Sequence, residues 1–279
     1  MLAKPPARTL RARGLSIPLG PQPIVMGILN VTPDSFSDGG SYDSVAVAVA
    51  AAERMTTEGA GIIDIGGEST RPGHEAVDAE TEMSRVLPAI RGLAAVSGIP
   101  ISIDTYKARV AAEGVKAGAH IVNDVWGLSR DPDMARAIAD SDAAAIIMHN
   151  RVEIDGTLDI FEEMKAFFGA AVEKALRAGT GKDRIVLDPG IGFGKTLEQN
   201  LAVLGNLSCL HDYGFPVLLG ASRKSFINKV SPSEPNERIG GSVVTTVFAA
   251  LAGLSIIRVH DVATHVQALR VIDATGAAA

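Results

Sequence analysis

The chain has one cysteine, Cys209, among its 279 residues. That excludes an internal disulfide and suits a reducing cytoplasm. Nothing beside Cys209 would activate a thiolate, so it reads as a small packed residue. An excess of basic charge is also missing. The net charge of −6 leaves no footprint for nucleic acid or an anionic membrane, so any positive charge serving an anionic substrate must be local. No run approaches the ~18 apolar residues of a membrane span. The opening MLAKPPARTLRARGLSIPLG has no apolar core segment of the kind a secretory signal needs. No composition break marks a linker, and no self-similarity appears at a period of ~20–50 residues. With 47% hydrophobic and 21% charged residues, the chain is globular and not disordered.

What is present is a rhythm. Eight short apolar runs each end in a polar cluster: PIVMGILN at Asn30, GIIDIGGEST from Asp64 to Thr70, IPISID at Asp104, AHIVND at Asn123 and Asp124, AAAIIMHN at His149, RIVLDPG at Asp188, FPVLLGASRK from Ser222 to Lys224, and SIIRVHD from Arg258 to Asp261. The runs are rich in Val, Ile and Leu and nearly continuous in apolarity, as strands buried on both faces are. A helix-length stretch separates each from the next. The pattern predicts an α/β fold, a single (β/α)8 TIM barrel, whose site residues lie at the C-terminal strand ends. The length fits one such domain over 1–279, with a core of about 22–275, although length alone also allows two ordinary domains. A short N-terminal hairpin or arm over 8–18 is expected to close the barrel floor.

Expected helices are 44–57 with Ser44 as cap and Gly59 beyond its end, 79–96 with acidic residues early and Arg91 late, and 107–116 closed by Gly118. Then come 132–140 with Asp131 as cap, 158–178, 197–211, 235–252 and 261–274. The tail TGAAA is expected to fray. Two long connections, 31–43 and 68–78, carry Gly, Pro, Ser and Asp on the expected catalytic face, where such loops serve as mobile lids.

PGIGFGKT (189–196) imitates a phosphate-binding loop, but Pro189 stands where that pattern needs its first glycine, and proline has no N–H to offer. SRKS (222–225) is either a solvated turn or a site whose Lys224 contacts an anion. In RVHD, strand alternation points Arg258 and His260 the same way, an anion pocket of guanidinium and imidazole unless Arg258 pairs structurally with Asp261. Neither His149 nor His260 has neighbours at zinc-ligand spacing. Asp104, Asn123 and Asp188 end three strands. Converging, they would grip a ligand edge rich in N–H donors; separately, they would cap the following helices. GGESTRPG (66–73) is a surface turn or a mobile arginine-bearing loop.

Taken together, MGILNVTPDSFSDGG (26–40), GGESTRPG (66–73), SIDTYK (102–107), HIVND (120–124), LDPGIGFGK (187–195), GASRKS (220–225) and RVHDV (258–262) resemble the dihydropteroate synthase family of folate biosynthesis, from about residue 22 to about residue 273. The resemblance implies a transferase that joins 6-hydroxymethyl-7,8-dihydropterin pyrophosphate to p-aminobenzoate with Mg²⁺, as a cytoplasmic homodimer. It implies pterin contacts at Asp104, Asn123, Met148, Asp188 and Lys224. It places Asn30, Arg71, Arg258 and His260 at pyrophosphate and Mg²⁺, with Asn30 as metal ligand. Phe36 and Asp38 fall in the first loop, and Thr70, Arg71, Pro72, Phe193 and Ser222 near p-aminobenzoate. Asp104, Asp188, Lys224, Arg258 and His260 would carry the chemistry.

That chemistry needs stabilisation of a ring cation by carboxylates and of departing pyrophosphate by Mg²⁺, arginines and His260. An aromatic amine is unprotonated at neutral pH, so no strong base is required. One departure is MHNRVEIDG (148–156), where many members read MHMQG; it puts contacts from that loop in question. Pro72 and Phe36 keep the family's usual types, which predicts competitive inhibition by sulfonamides. The rival readings are a methyltetrahydrofolate–corrinoid methyltransferase, which needs neither SRKS nor an RVH anion pocket, and a non-catalytic pterin-binding paralogue, which would be expected to have lost Lys224, Arg71 or Asp188.

Overall fold

The computed structural model describes residues 8–32, 41–68 and 76–277. Strands β1 (Arg8–Ala12) and β2 (Leu15–Leu19) form an antiparallel hairpin. Its two-residue turn has positive φ at both Arg13 (44°) and Gly14 (80°), the geometry that matches strand twist in tight hairpins. Eight parallel strands follow: β3 (Ile24–Asn30), β4 (Ile62–Gly66), β5 (Ile101–Asp104), β6 (Ile121–Asp124), β7 (Ala144–Met148), β8 (Ile185–Asp188), β9 (Leu218–Leu219) and β10 (Ile256–Val259). They pair in the order β8-β7-β6-β5-β4-β3-β10-β9, and a parallel bridge between Leu187 and Val217 joins the two ends. This is the expected α/β TIM barrel.

Strand alternation divides the core in two. Ile63, Ile65, Ile103, Val122, Ile147, Leu187 and Ile257 pack outward against the helices. Ile62, Ile121, Ile146, Val186, Leu218 and Ile256 point into the barrel and meet Leu10, Ala12, Ile17 and Leu19 of the hairpin. The hairpin therefore plugs the barrel floor, as expected. Two residues above this apolar layer, on the same inward face, stand Asp64, Asn123, Met148, Asp188, Gly220 and Arg258. The site is built on a dry floor.

The helices are α1 (Ser41–Glu58), α2 (Ala79–Val96), α3 (Ala108–Ala117), α4 (Met134–Asp140), α5 (Ile160–Ala178), α6 (Leu197–Gly205), α7 (Ser225–Val230), α8 (Ile239–Leu251) and α9 (Val262–Ala277). Several ends differ from expectation. Helix α1 begins three residues before Ser44, which is therefore not its cap. Arg91 lies a turn short of the end of α2, whose last turn has no basic residue. Helix α4 begins at Met134 after Asp133, not at Pro132, and Asp131 serves two segments: its Oδ1 accepts from the Asp133 N–H at 3.0 Å, and its Oδ2 from the Ala108 N–H at 2.8 Å, at the start of α3, where Lys107 supplies no side-chain cap. The stretch 197–211 breaks at Gly205 into a tighter 3₁₀ segment, Leu207–Tyr213. Pro235–Glu237 is a separate 3₁₀ turn before α8. Helix α7 was absent from the expected set, and α9 runs through the tail to Ala277.

Candidate active site

Asn30, Gly66, Asp104 and Asn123 are successive register partners across β3, β4, β5 and β6. On the next pair of strands Met148 is level with Asp188. The parallel ladder thus brings residues separated by over a hundred positions to one rim. Gly66 leaves room in this row: a Cβ there would lie 3.4 Å from Asp104 Cβ and 3.8 Å from Asn30 Oδ1.

Arg258 crosses the centre of the barrel. Its Nε donates to Asp64 Oδ2 at 2.5 Å and its Nη2 to Asp104 Oδ2 at 2.6 Å. Burial works against its charge, but the two carboxylates hold its pKa above the ordinary value. The alternative pairing of Arg258 with Asp261 does not occur. Arg223 takes Asp261 instead, with Nε 2.9 Å from Oδ2 and a second contact from Nη2 to Oδ1. Asp64 Oδ2 also accepts from Asn123 Nδ2 at 3.1 Å. Asp64 is wholly buried in mid-strand. Sequence reasoning gave it no role, although a carboxylate inside the apolar run IIDIG was the available signal.

None of the three acceptor residues caps a helix. Asp188 Oδ1 accepts from the Gly190 N–H at 2.7 Å, and its carboxyl is pushed up to about 6 by burial, against that hydrogen bond and the charge of Lys224. Burial likewise raises Asp104, against Arg258. Oδ1 of Asp64 and Oδ1 of Asp104 are buried and have no hydrogen-bond partner among the described residues. A Cβ on Gly220 would sit 3.5 Å from Asp188 Oδ2 and 3.9 Å from Arg258 Cβ, so Asp188 and Arg258 flank this glycine. This inward-facing layer is rich in acceptor oxygens.

Beyond the same strand ends Lys224 Nζ stands 3.9 Å from the centre of the Phe193 ring, a cation–π contact. The lysine stem runs over Gly192 (φ 84°), where a Cβ would meet Lys224 Cδ at 3.2 Å. Ser222 Oγ lies 3.1 Å from His260 Nδ1 and accepts from the His260 backbone N–H at 3.3 Å. Burial, then Arg258 and Arg223, hold His260 down at about 3. It therefore offers a neutral imidazole.

The loop after β8 is not a phosphate cradle. Lys195 turns inward and donates to His149 Nδ1 at 2.6 Å, Gly190 O at 3.0 Å and Phe193 O at 3.1 Å. Burial draws it down to about 7, yet three acceptors occupy its three N–H bonds, and we assign the charged form. His149, held near 2 by burial and by Lys195, is neutral. Its Nδ1 accepts from Lys195, and its Nε2–H donates to Glu163. Gly190 is required here, since a Cβ would fall 1.9 Å from His149 O. The divergent 150–156 loop supports the same segment: Arg151 donates to Gly194 O from Nε at 3.0 Å and from Nη2 at 2.5 Å.

Phe36, Asp38, Thr70, Arg71 and Pro72 lie outside the described residues, as does most of both expected lids. Beside the second, Glu68 accepts from Tyr106 Oη at 2.9 Å and pairs with Lys107, which also holds buried Glu82 at 2.5 Å. Sequence reasoning missed this clamp.

Comparison with known proteins agrees with the geometry. Residues 26–260 match the pterin binding enzyme family. The chain is 49% identical over 251 residues to the dihydropteroate synthase of Bacillus subtilis, covering 90% of this chain and 88% of that one. A Clostridium difficile dihydropteroate synthase crystallised in the presence of pteroic acid superposes with a TM-score of 0.88 at 52% identity, covering 91% of this chain and 97% of that chain. The Xanthomonas albilineans dihydropteroate synthase with 4-aminobenzoic acid gives 0.92 at 43% identity, covering 97% and 99%. This chain belongs to the dihydropteroate synthase family of pterin-binding enzymes.

Proposed function

We propose that the chain joins 6-hydroxymethyl-7,8-dihydropterin pyrophosphate to p-aminobenzoate, giving 7,8-dihydropteroate and pyrophosphate. The observation that carries this reading is the set of buried acceptors, with Asp64 Oδ1 and Asp104 Oδ1 unpartnered among the described residues, at a mouth that also holds Arg258 and Lys224. Such a floor takes a ring edge of N–H donors, and buried oxygens without donors are costly until one arrives.

The reaction breaks the bond between the exocyclic CH₂ and the pyrophosphate oxygen, and the electron pair leaves with pyrophosphate. The amine lone pair then forms the C–N bond and the nitrogen sheds a proton. Asp104 and Asp188 bind the ring and stabilise the positive charge that develops on it. Met148, level with Asp188, packs against the ring. Lys224 contacts the ring's polar edge, and its position over Phe193 links that edge to the p-aminobenzoate side, where Ser222 stands. Arg258 and His260 serve the pyrophosphate, Arg258 by charge and His260 through its N–H. Arg71, Thr70, Pro72, Phe36 and Asp38 belong to the two segments that would complete the site and exclude water.

Asn30 ends β3 exposed at the rim, with Gly66 leaving space beside its Oδ1. Mg²⁺ takes one or two protein oxygens and fills its shell with phosphate oxygens and water, so a single amide oxygen here fits it. Bound there with the substrate, the ion supplies positive charge to the leaving group.

The assembly we propose is a homodimer. Val244, Phe248 and Leu251 form an apolar stripe on α8, 49%, 44% and 49% exposed, at the spacing of one helix face; light scattering in solution tests it. No described helix is long and apolar enough to cross a membrane, and the lone cysteine suits the cytoplasm. The test of function is incubation with both substrates, with and without Mg²⁺, following pyrophosphate. Release that requires p-aminobenzoate and Mg²⁺ is expected; no release overturns the reading.

A further inference from the structure

The polar layer inside the barrel presents acceptor oxygens at Asp64, Asp104 and Asn123, and one buried carboxylate explains the direction of the last. An asparagine amide can turn over, offering either NH₂ or C=O to a ligand. At Asn123 the choice is made from behind. Asp64 Oδ2 accepts from Arg258 Nε at 2.5 Å and from Asn123 Nδ2 at 3.1 Å. Beside a guanidinium Asp64 is a carboxylate, and a carboxylate only accepts. An inverted Asn123 would set two oxygens against each other in a dry interior and strand its NH₂. Nδ2 is therefore committed to Asp64, and no described residue donates to Oδ1 of Asn123. Asp104, its register partner, adds an Oδ1 with no partner among the described residues.

We propose that Asp64 is a specificity-determining positioning residue. By holding Nδ2 of Asn123 it turns the amide oxygen to the ring, so that the pocket accepts a 2-amino pterin and rejects its 2-oxo analogue. This rests on the pterin reading. A 2-oxo ring puts oxygen where the 2-amino group donates, and a buried acceptor facing oxygen is left unpaired.

The experiment compares binding of 6-hydroxymethylpterin and 6-hydroxymethyllumazine by calorimetry. Wild type is expected to prefer the pterin by about a hundredfold or more, the scale on which a site built to hydrogen-bond one group rejects its replacement. Asp64→Leu fills the volume without an acceptor and is expected to cut that preference by about tenfold or more. Asp64→Asn keeps one oxygen where Arg258 requires it, and is expected to stay within about threefold of wild type. An unchanged preference in Asp64→Leu, or equal weakening of both ligands, overturns the proposal.

Should Asp64→Leu not fold, the wild-type protein supplies the test. The Asn123 side-chain NH₂ signals, assigned by their loss in Asn123→Ala, are expected to include one proton exchanging about tenfold slower than those of exposed asparagines. A pair that both exchange rapidly overturns it. A wild type that binds neither ring and releases no pyrophosphate overturns the functional reading. One that binds pterin without preference overturns this inference alone.

Discussion

Lys195 Nζ lies 2.6 Å from Nδ1 of His149, and both side chains are buried. The lysine whose sequence context imitates a nucleotide-binding loop thus serves the protein and not a phosphate. It ties the strand end that carries Asp188 to the loop that carries Phe193. Lys195→Met removes three donated hydrogen bonds, one to a histidine that leans on Glu163. It is expected to cost about 2–4 kcal/mol of stability and to raise the KM for p-aminobenzoate more than that for the pterin. Urea unfolding with steady-state kinetics checks both, and an unmoved midpoint would contradict the arrangement.

Arg258 shares its charge between Asp64 and Asp104. Arg258→Ala leaves two carboxylates facing each other without a counter-ion, and is expected to destabilise the fold by about 3–5 kcal/mol as well as lowering kcat. Arg258→Lys restores charge but cannot span both partners, and should recover stability only in part. Normal stability and normal kcat in Arg258→Ala would remove the arginine from the centre of the account.

His265 is fully buried, with Nδ1 2.6 Å from Thr246 Oγ1. Burial lowers its pKa to about 4, with Asp261 opposing and Arg223 adding. The unfolded chain takes up this proton first, so the contribution of His265 is fully present above the ordinary pKa of ~6.5 and is lost as pH falls toward 4. Between pH 6.5 and 5 the loss is about 2 kcal/mol at ~1.4 kcal/mol per unit. His265→Gln is expected to flatten that part of the stability profile. Equal profiles for the two proteins over this window would refute the assignment.

Sulfonamides imitate p-aminobenzoate, and the groups proposed to stand near that substrate include Phe193 and Ser222. Sulfamethoxazole is expected to raise the apparent KM for p-aminobenzoate without changing kcat at saturation. Active protein indifferent to millimolar drug would contradict the placement of that substrate beside Phe193.

The barrel was legible because its strands are buried on both faces and its turns are polar, so period and punctuation agree from Ile24 to Val259. The shared direction of Arg258 and His260 followed from alternation, while for Asn123 and Asp188 the sequence allows both a common pocket and separate helix caps. Partners did not follow. That Arg258 would choose Asp64 and Asp104 over neighbouring Asp261 depends on the closure of the sheet, which brings residues 194 and 154 positions apart together. Asp131 is of the same kind: it keeps its local bond to the Asp133 N–H before α4, but its second oxygen reaches the Ala108 N–H of α3, a contact across the fold that no local rule shows. Lys195 was rightly denied a phosphate, but its burial against His149 and Glu163 could be seen only once Gly190 had folded the loop back.

The most direct measurement is a crystal structure of the chain with 7,8-dihydropteroate. The pterin N–H edge is expected within hydrogen-bond distance of Asp104 Oδ1, Asn123 Oδ1 and the Asp188 carboxylate, with the aminobenzoate against Phe193. A product lying elsewhere, or turned so that its ring oxygens face those three groups, would contradict the account.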